Sequence, residues 1–249
     1  MTIDPIHQFN IEPLFTLGHI GKYPIAITNS TVYMFVAVGI IGLLTLATGR
    51  QLIPGRMQSI AEISYEFVAT TIRSTAGPEG MKFFPLIFCL FMFICVSNLV
   101  GIIPYTFTIS SHIIVTAALA LLVFFLVLIY GIYKNGLKFF SIFVPKGVPG
   151  YIVPLVMFIE ILSFLLRPVS HSVRLFANML AGHIALKVFA GFVGMLGVSL
   201  GALGWIGGIA PLALTVALTA LELLVAFLQA YVFAILTCIY LNDALHPGH

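Results

Sequence analysis

Charged residues are scarce in this sequence. Only 8% of its 249 residues are Asp, Glu, Lys or Arg, 61% are hydrophobic, and the mean hydropathy is +1.15. The net charge of +3 comes from 11 basic and 8 acidic side chains, which are too sparse and scattered to form a nucleic-acid surface. The composition therefore excludes a nucleic-acid partner and predicts a polytopic membrane protein.

Cysteine is also rare, and the motifs of common enzyme chemistry are missing. Cys89, Cys95 and Cys238 lie inside apolar runs without CxxC or Cys/His spacing, which favours buried apolar side chains over a disulfide or a metal site. The sequence contains no phosphate-binding loop or nucleophile motif. It therefore predicts neither a metal or cofactor nor an enzymatic activity.

Long apolar runs are present instead. Residues 31–48, 83–103 and 113–133 are each long enough for one roughly upright transmembrane helix. No signal peptide is indicated, so the first run is expected to be retained. Residues 1–30 combine three prolines with mixed polarity, which predicts an irregular or partly interfacial outer arm.

The segment 54–76 has an amphipathic pattern. Its polar face would carry Gln58, Glu62, Glu66 and Arg73. A helix at the membrane interface is favoured, with a short soluble helical hairpin arm as the alternative.

Two apolar segments near the C-terminus are too long for upright spans. As helices, residues 149–199 would extend about 75 Å and residues 207–242 roughly 50 Å, whereas the hydrocarbon core is about 30 Å thick. A glycine-rich turn at 197–208 joins them. We therefore expect a strongly tilted helical hairpin, in an all-α single integral membrane domain over residues 1–249 with five spans.

The basic residues predict the orientation. They cluster after the first span and after the third, at Arg50, Arg56, Arg73 and Lys82 and then at Lys134, Lys138 and Lys146. The segment 104–112 carries no charged residue. The positive-inside rule then places the N-terminus outside and the C-terminus in the cytoplasm.

A polar stripe interrupts the first half of the long hairpin. Its members follow at spacings of three or four residues and would share one helical face: Glu160, Ser163, Arg167, His171, Arg174 and Asn178. An arginine at the bilayer centre costs about 2.5–3.5 kcal/mol on insertion scales and keeps its proton. Arg174 therefore points to ion transport, although pairing with Glu160 or Glu222 would make it structural. Glu160 could line a polar passage or form a salt bridge with Arg167.

Further titratable residues lie beyond Arg174. His183 follows nine residues later, on the opposite side of the same helix, and Thr215, Glu222 and Gln229 repeat every seven residues on the last helix. A lone buried His or Gln is usually a satisfied core group. Because His183, Lys187 and Glu222 occur together in an apolar hairpin, they favour a proton or ion path.

At these residues the sequence resembles the F-type ATP synthase subunit a, the membrane stator that faces the ring of c subunits. The motifs that carry the resemblance are Arg174-Leu-Phe-Ala-Asn178-Met-Leu-Ala-Gly-His183, Pro168, Ser97-Asn98-Leu-Val-Gly-Ile-Ile-Pro104-Tyr105, and Glu222 with Gln229. It covers residues 31–242.

The resemblance implies two offset aqueous half-channels in a non-catalytic, proton-conducting subunit. Arg174 would face the carboxylate of the ring, His183 and Glu222 would line the outer half-channel, and Glu160 the cytoplasmic exit. Asn178 and Gln229 match polar neighbours of the arginine. Many bacterial relatives interchange the acid and the imidazole of this pair, and the arrangement here is similar to alphaproteobacterial and mitochondrial forms.

The same resemblance implies the partners: the c-ring, the b subunits of the peripheral stalk, the rest of the synthase, protons and lipid. A bacterial inner membrane is the expected location, with the mitochondrial inner membrane as the alternative. The sequence leaves the coupling ion open between proton and sodium. Two other functions also remain open, an autonomous proton- or sodium-coupled transporter, which the missing inverted repeat disfavours, and an assembly scaffold.

Overall fold

The computed structural model describes residues 10–20, 23–46, 55–103, 106–143, 151–200 and 207–245. Arg50, Lys146, residues 1–9 of the arm and residues 201–206 of the glycine-rich turn lie outside the described residues. Within these ranges the helices are α1 (Asn29–Leu46), α2 (Arg56–Gly80), α3 (Phe84–Ile102), α4 (Ile113–Asn135), α5 (Val153–Leu200) and α6 (Ile209–Leu245).

Each predicted span overlaps a helix of the described ranges. Five helical stretches in the described ranges are long and apolar enough to cross a membrane, if α2 and α3 are counted as one. The long segments form single helices, α5 with 48 residues and α6 with 37. The protein is therefore an all-α polytopic membrane protein, as the sequence predicts.

Large apolar side chains cover much of the exposed surface of these helices. Phe35 is 71% exposed, Leu43 70% and Ile114 76%, and α5 carries further exposed Phe, Ile, Leu and Val side chains. In water such a surface would cost about 25 cal/mol for each Å². A lipid environment removes that cost, which agrees with the apolar length of the helices.

Inter-residue contacts divide the chain into two units, and the first contains Met1–Gly42, Phe93–His112 and Leu175–Gln229. Its N-terminal part is an antiparallel pair of strands, β1 (Pro13–Ile20) and β2 (Tyr23–Thr28), where the sequence indicated only an irregular arm. The side chain of Asn29 accepts a hydrogen bond from the backbone N–H of Glu12 and donates one to the carbonyl oxygen of Asn10. These bonds attach the hairpin to the start of α1. The core of this unit includes an unusual number of polar side chains.

The second unit contains Leu43–Met92, Ile113–Arg174 and Ala230–His249, and its core is mainly aromatic and aliphatic. Phe139 is fully buried, and its ring lies against Gly131 of α4, where a side chain would collide with it. Near its end α2 is interrupted at Gly77, whose φ of 68° favours glycine, and Pro78 follows directly. The packing of this unit therefore depends on glycine at two specific positions.

The orientation of α2 differs from the simple amphipathic pattern. Gln58 is buried and donates to Glu62 at 2.8 Å, whereas Met57 and Ile60 are more than half exposed. The exposed surface of α2 therefore includes apolar side chains as well as polar ones. The location of α2 at the membrane interface stays a prediction.

Candidate functional site

The side chains of the polar stripe on α5 differ in how far they are exposed. Arg174 and Ser163 are exposed, Glu160 and Asn178 are half-buried, and His171 is buried. In the described part of the chain, no acidic side chain forms an ion pair with Arg174. Its guanidinium is therefore available at the open surface of a helix that is otherwise apolar.

Arg167 has a different environment from Arg174. Its Nη1 lies 3.0 Å from Oδ2 of Asp243, near the end of α6, and its guanidinium carbon lies 4.9 Å from the centre of the Tyr240 ring. The expected alternative, a salt bridge between Arg167 and Glu160, is wrong, because Asp243 occupies that role. Glu160 has no ion pair among the described residues and stays a predicted exit residue.

His171 is enclosed by aromatic rings. Its ring centre lies 3.8 Å from that of Phe233 and 6.0 Å from that of Tyr240, and its Nε2 has no hydrogen-bond partner in the described ranges. A cavity of about 10 Å³, bordered by His171, Arg167 and Pro168, lies beside it. His171 therefore lies against aromatic rings, with the Arg167 side chain at the same cavity, and the sequence did not indicate these aromatic contacts.

The second half of α5 carries the most compact polar cluster. Nδ1 of His183 lies 3.2 Å from Oε1 of Glu222 on α6, and the two side chains are only 7% and 5% exposed. Neither carboxylate oxygen of Glu222 makes a well-aligned hydrogen bond with the described residues. The structure thus brings together the two titratable residues that the sequence placed on facing helices.

A hydroxyl that the sequence did not indicate also contacts His183. Oγ1 of Thr108, in the segment before α4, lies 3.0 Å from Nε2 of His183 and is fully buried. Each ring nitrogen of His183 therefore faces a polar atom, a carboxylate on one side and a hydroxyl on the other.

Asn98 lies in the same unit and holds the neighbouring backbone in place. Its Nδ2 donates to the carbonyl oxygen of Ala226 at 3.2 Å, and its Oδ1 accepts from Oγ of Ser110 at 2.6 Å. Ala226 is one helical turn after Glu222. Asn98 thus connects α3 to the part of α6 that carries the carboxylate, and to the segment that carries Thr108.

The segment before α4 offered one signal for these contacts. Between residues 106 and 111 four side chains carry a hydroxyl, namely Thr106, Thr108, Ser110 and Ser111. Hydroxyl groups buried beside apolar helices need hydrogen-bond partners inside the protein.

At the end of this segment, burial lowers the pKa of His112, which favours its neutral imidazole.

Two glycines allow backbone and side chains to approach within this unit. A Cβ on Gly182 would lie 2.9 Å from Oε1 of Glu222, and a Cβ on Gly101 would lie 2.9 Å from Cγ2 of Thr108. Both distances are shorter than ordinary van der Waals contacts. A larger residue at either position would therefore force the side chain of Glu222 or of Thr108 to shift.

The other predicted site residues have fewer contacts. Gln229 is half-buried on α6, and in the described ranges it has no side-chain hydrogen bond, as is also true of Asn178. No group of three His, Cys, Asp or Glu side chains in those ranges could hold a metal ion. The contacts of the candidate site in those ranges are therefore ion pairs and hydrogen bonds.

A family profile described as ATP synthase A chain matches residues 31–242. The chain belongs to this family. The ATP synthase subunit a of Bradyrhizobium diazoefficiens is 85% identical over the full length of both chains. That of Rhodopseudomonas palustris strain TIE-1 is 75% identical, also over both full lengths. That of Nitrobacter winogradskyi is 75% identical over 99% of this chain and all of the relative.

Within the ATP synthase A chain family, this member has an imidazole on α5 and a carboxylate on α6, in contact across its first unit. The motifs that carry the resemblance, from Ser97 to Gln229, all fall inside the matched range. The relatives named above come from bacteria.

Proposed function

We propose that this chain is the non-catalytic, proton-conducting stator subunit of a rotary ATP synthase, and that Arg174 faces the carboxylates of a ring of c subunits. The observation that carries the proposal is the exposed guanidinium of Arg174 on an apolar helix, without an acidic partner in the described part of the chain. A permanent positive charge at membrane depth requires a counter-charge, and a carboxylate on a neighbouring subunit supplies it.

The chemistry of Arg174 follows from its permanent charge. A cation within about 4–6 Å of a carboxyl group favours the ionised form, whereas hydrocarbon favours the protonated form. Each ring carboxyl would therefore release its proton beside Arg174 and take up another before it enters the lipid. Because Arg174 keeps its own proton, it also prevents direct proton transfer between two half-channels.

His183 and Glu222 supply the outer half-channel in this proposal. They are buried, in contact, and able to exchange a proton with each other, which a structural ion pair between permanent charges could not do. Nine residues separate His183 from Arg174, so the two side chains leave α5 on opposite sides. Glu160, with Ser163 and His171, would lie on the path to the cytoplasm, and Asn178 and Gln229 beside Arg174.

The membrane potential then gives the rotation its direction. Moving one elementary charge through the potential is worth about 2.3 kcal/mol per 100 mV. Protons that enter from outside and leave to the cytoplasm would turn the ring one way. The proposal places the chain in a bacterial inner membrane with its N-terminus outside, beside the peripheral stalk and the rest of the synthase.

Arg174→Ala in the complete ATP synthase tests the proposal. We expect the variant to assemble with the c-ring, to lose ATP synthesis and ATP-driven acidification of inverted vesicles, and to leak protons passively. Val169→Ala is the control, because Val169 is an exposed apolar residue of the same helix. Its activity should equal that of the wild type.

Two results would contradict the proposal. Coupled ATP synthesis by an assembled Arg174→Ala complex would show that the charge is not needed. Proton or sodium transport by the purified chain alone, without co-purifying c subunits, would instead support the autonomous transporter.

A further inference from the structure

Thr108 occupies a position that its residue type alone does not explain. It is fully buried, and its hydroxyl lies 3.0 Å from Nε2 of His183 and 3.4 Å from the carbonyl oxygen of Gly101. A hydroxyl has one proton to donate and two lone pairs to accept with. With its proton donated to the carbonyl oxygen, which can only accept, the hydroxyl can accept a hydrogen bond from Nε2–H.

We propose that Thr108 is a positioning residue for proton transfer by His183, because its hydroxyl accepts the hydrogen bond of Nε2–H and thereby leaves Nδ1 to exchange a proton with Glu222. The inference rests on the proposed function of the chain and deepens it. Thr108 lies outside both helices of the hairpin, in the segment before α4.

The step is defined by where the protons lie. Nε2 keeps its proton and donates it to Oγ1 of Thr108, and the hydroxyl proton is donated to the carbonyl oxygen of Gly101. In the neutral imidazole Nδ1 then carries a lone pair and faces Glu222. A proton moves from the carboxyl group of Glu222 to Nδ1, which leaves a carboxylate and an imidazolium, and it returns by the same way; no proton passes through Thr108 itself.

This arrangement matters because the site is buried. Without an acceptor for Nε2–H, the imidazole would carry the desolvation cost of an unpaired donor, and this cost is larger for the charged ring than for the neutral one. The tautomer with its proton on Nδ1 would then compete, and it has no lone pair with which to accept a proton from Glu222. Loss of the hydroxyl should therefore slow the exchange with Glu222.

Gly101 helps to orient this hydroxyl. Its carbonyl oxygen accepts the hydroxyl proton, and its missing side chain lets Thr108 approach α3, because a Cβ would lie 3.1 Å from Oγ1. Ser111 holds the backbone of Thr108 through a bond of 2.6 Å from its Oγ to the Thr108 carbonyl oxygen. The hydroxyl is therefore held where a lone pair can accept from Nε2–H.

The test compares Thr108→Val with Thr108→Ser in the complete ATP synthase. Valine keeps the shape of threonine and removes the hydroxyl, whereas serine keeps the hydroxyl and removes a methyl group. We expect Thr108→Val to lower proton-driven ATP synthesis about two- to tenfold, the range that corresponds to one lost hydrogen bond. Thr108→Ser should retain most of the wild-type rate.

Thr116→Val is the matched control. Thr116 is also a buried threonine, and its hydroxyl lies 3.1 Å from Oγ of Ser172, a partner that does not titrate. Assembly of each variant is measured by the amount of c-ring that co-purifies, so that rates are compared per assembled complex. A rate loss in Thr108→Val that serine restores and Thr116→Val lacks would support the inference.

Three outcomes would overturn it. Thr108→Val could keep the wild-type rate, Thr108→Ser could lose as much activity as valine, or Thr116→Val could lose as much as Thr108→Val. Failure of the proposed function is seen separately, because the wild-type complex itself would then show no proton transport and no dependence on Arg174.

Discussion

Nδ1 of His183 lies 3.2 Å from Oε1 of Glu222, and both side chains are almost completely buried. The contact joins the second half of α5 to α6 inside one unit of the chain. Groups this close titrate as a pair, so their apparent proton affinities belong to the pair and not to either residue.

Exchanging the two residues should preserve the pair. His183→Glu or Glu222→His alone leaves two carboxyls or two imidazoles in contact, and we expect proton-driven ATP synthesis to fall strongly in each. The double variant restores one acid and one imidazole, and it should recover activity beyond either single variant. ATP-driven acidification of inverted vesicles measures the effect. A double variant no better than the worse single one would show that the residues do not share a proton path.

Replacing Arg174 by lysine should also abolish coupling. A lysine ammonium lacks the planar fork of the guanidinium and can lose its proton when it is desolvated, so it cannot keep a permanent charge between the half-channels. We expect ATP synthesis below about a tenth of the wild-type rate, which corresponds to an activation free energy higher by about 1.4 kcal/mol or more. Retention of more than half of the wild-type coupling would show that positive charge alone suffices.

Gly182→Ala should disturb the pair without removing a polar group. The new methyl group would lie 2.9 Å from Oε1 of Glu222, so the carboxylate must shift, and we expect this to disturb its contact with His183. Gly194→Ala is the control, since Gly194 lies on the same helix with open space around its Cα. Alanine favours a helix over glycine by about 1 kcal/mol, so Gly194→Ala should assemble and function at least as well as the wild type. Equal ATP synthesis rates in the two variants would contradict the proposed importance of the close approach.

The pair formed by Arg167 and Asp243 should contribute to stability more than to conduction. Asp243→Asn removes the charge that Nη1 of Arg167 contacts at 3.0 Å, and it leaves a partly buried guanidinium over the Tyr240 ring. We expect a lower thermal stability of the solubilised complex, equivalent to about 1–2 kcal/mol, with nearly unchanged ATP synthesis per assembled complex.

Glu79→Gln is the control for this ion pair. Glu79 pairs with Lys134 at an exposed surface, where an ion pair contributes little. Its thermal stability should equal that of the wild type. If Asp243→Asn lost conduction while the complex stayed stable, Arg167 would belong to the proton path.

The candidate site was only partly visible in the sequence. The charge of Arg174 in an apolar segment and the repeat of Glu222 and Gln229 can be read from spacing, because helical periodicity alone decides which residues share a face. Their roles in conduction stay predictions. Thr108 was not visible, because its hydroxyl reaches His183 from a segment 75 residues away in the chain.

The sequence by itself determined the membrane class, the long apolar helices and the family, because apolar length and local motifs depend only on neighbouring residues. The tertiary structure decided which polar groups meet. It paired Arg167 with Asp243 and not with Glu160, and it placed both Thr108 and Glu222 against His183. Such contacts depend on the packing of distant helices, in which a buried polar group is stable only beside a partner that local sequence does not specify.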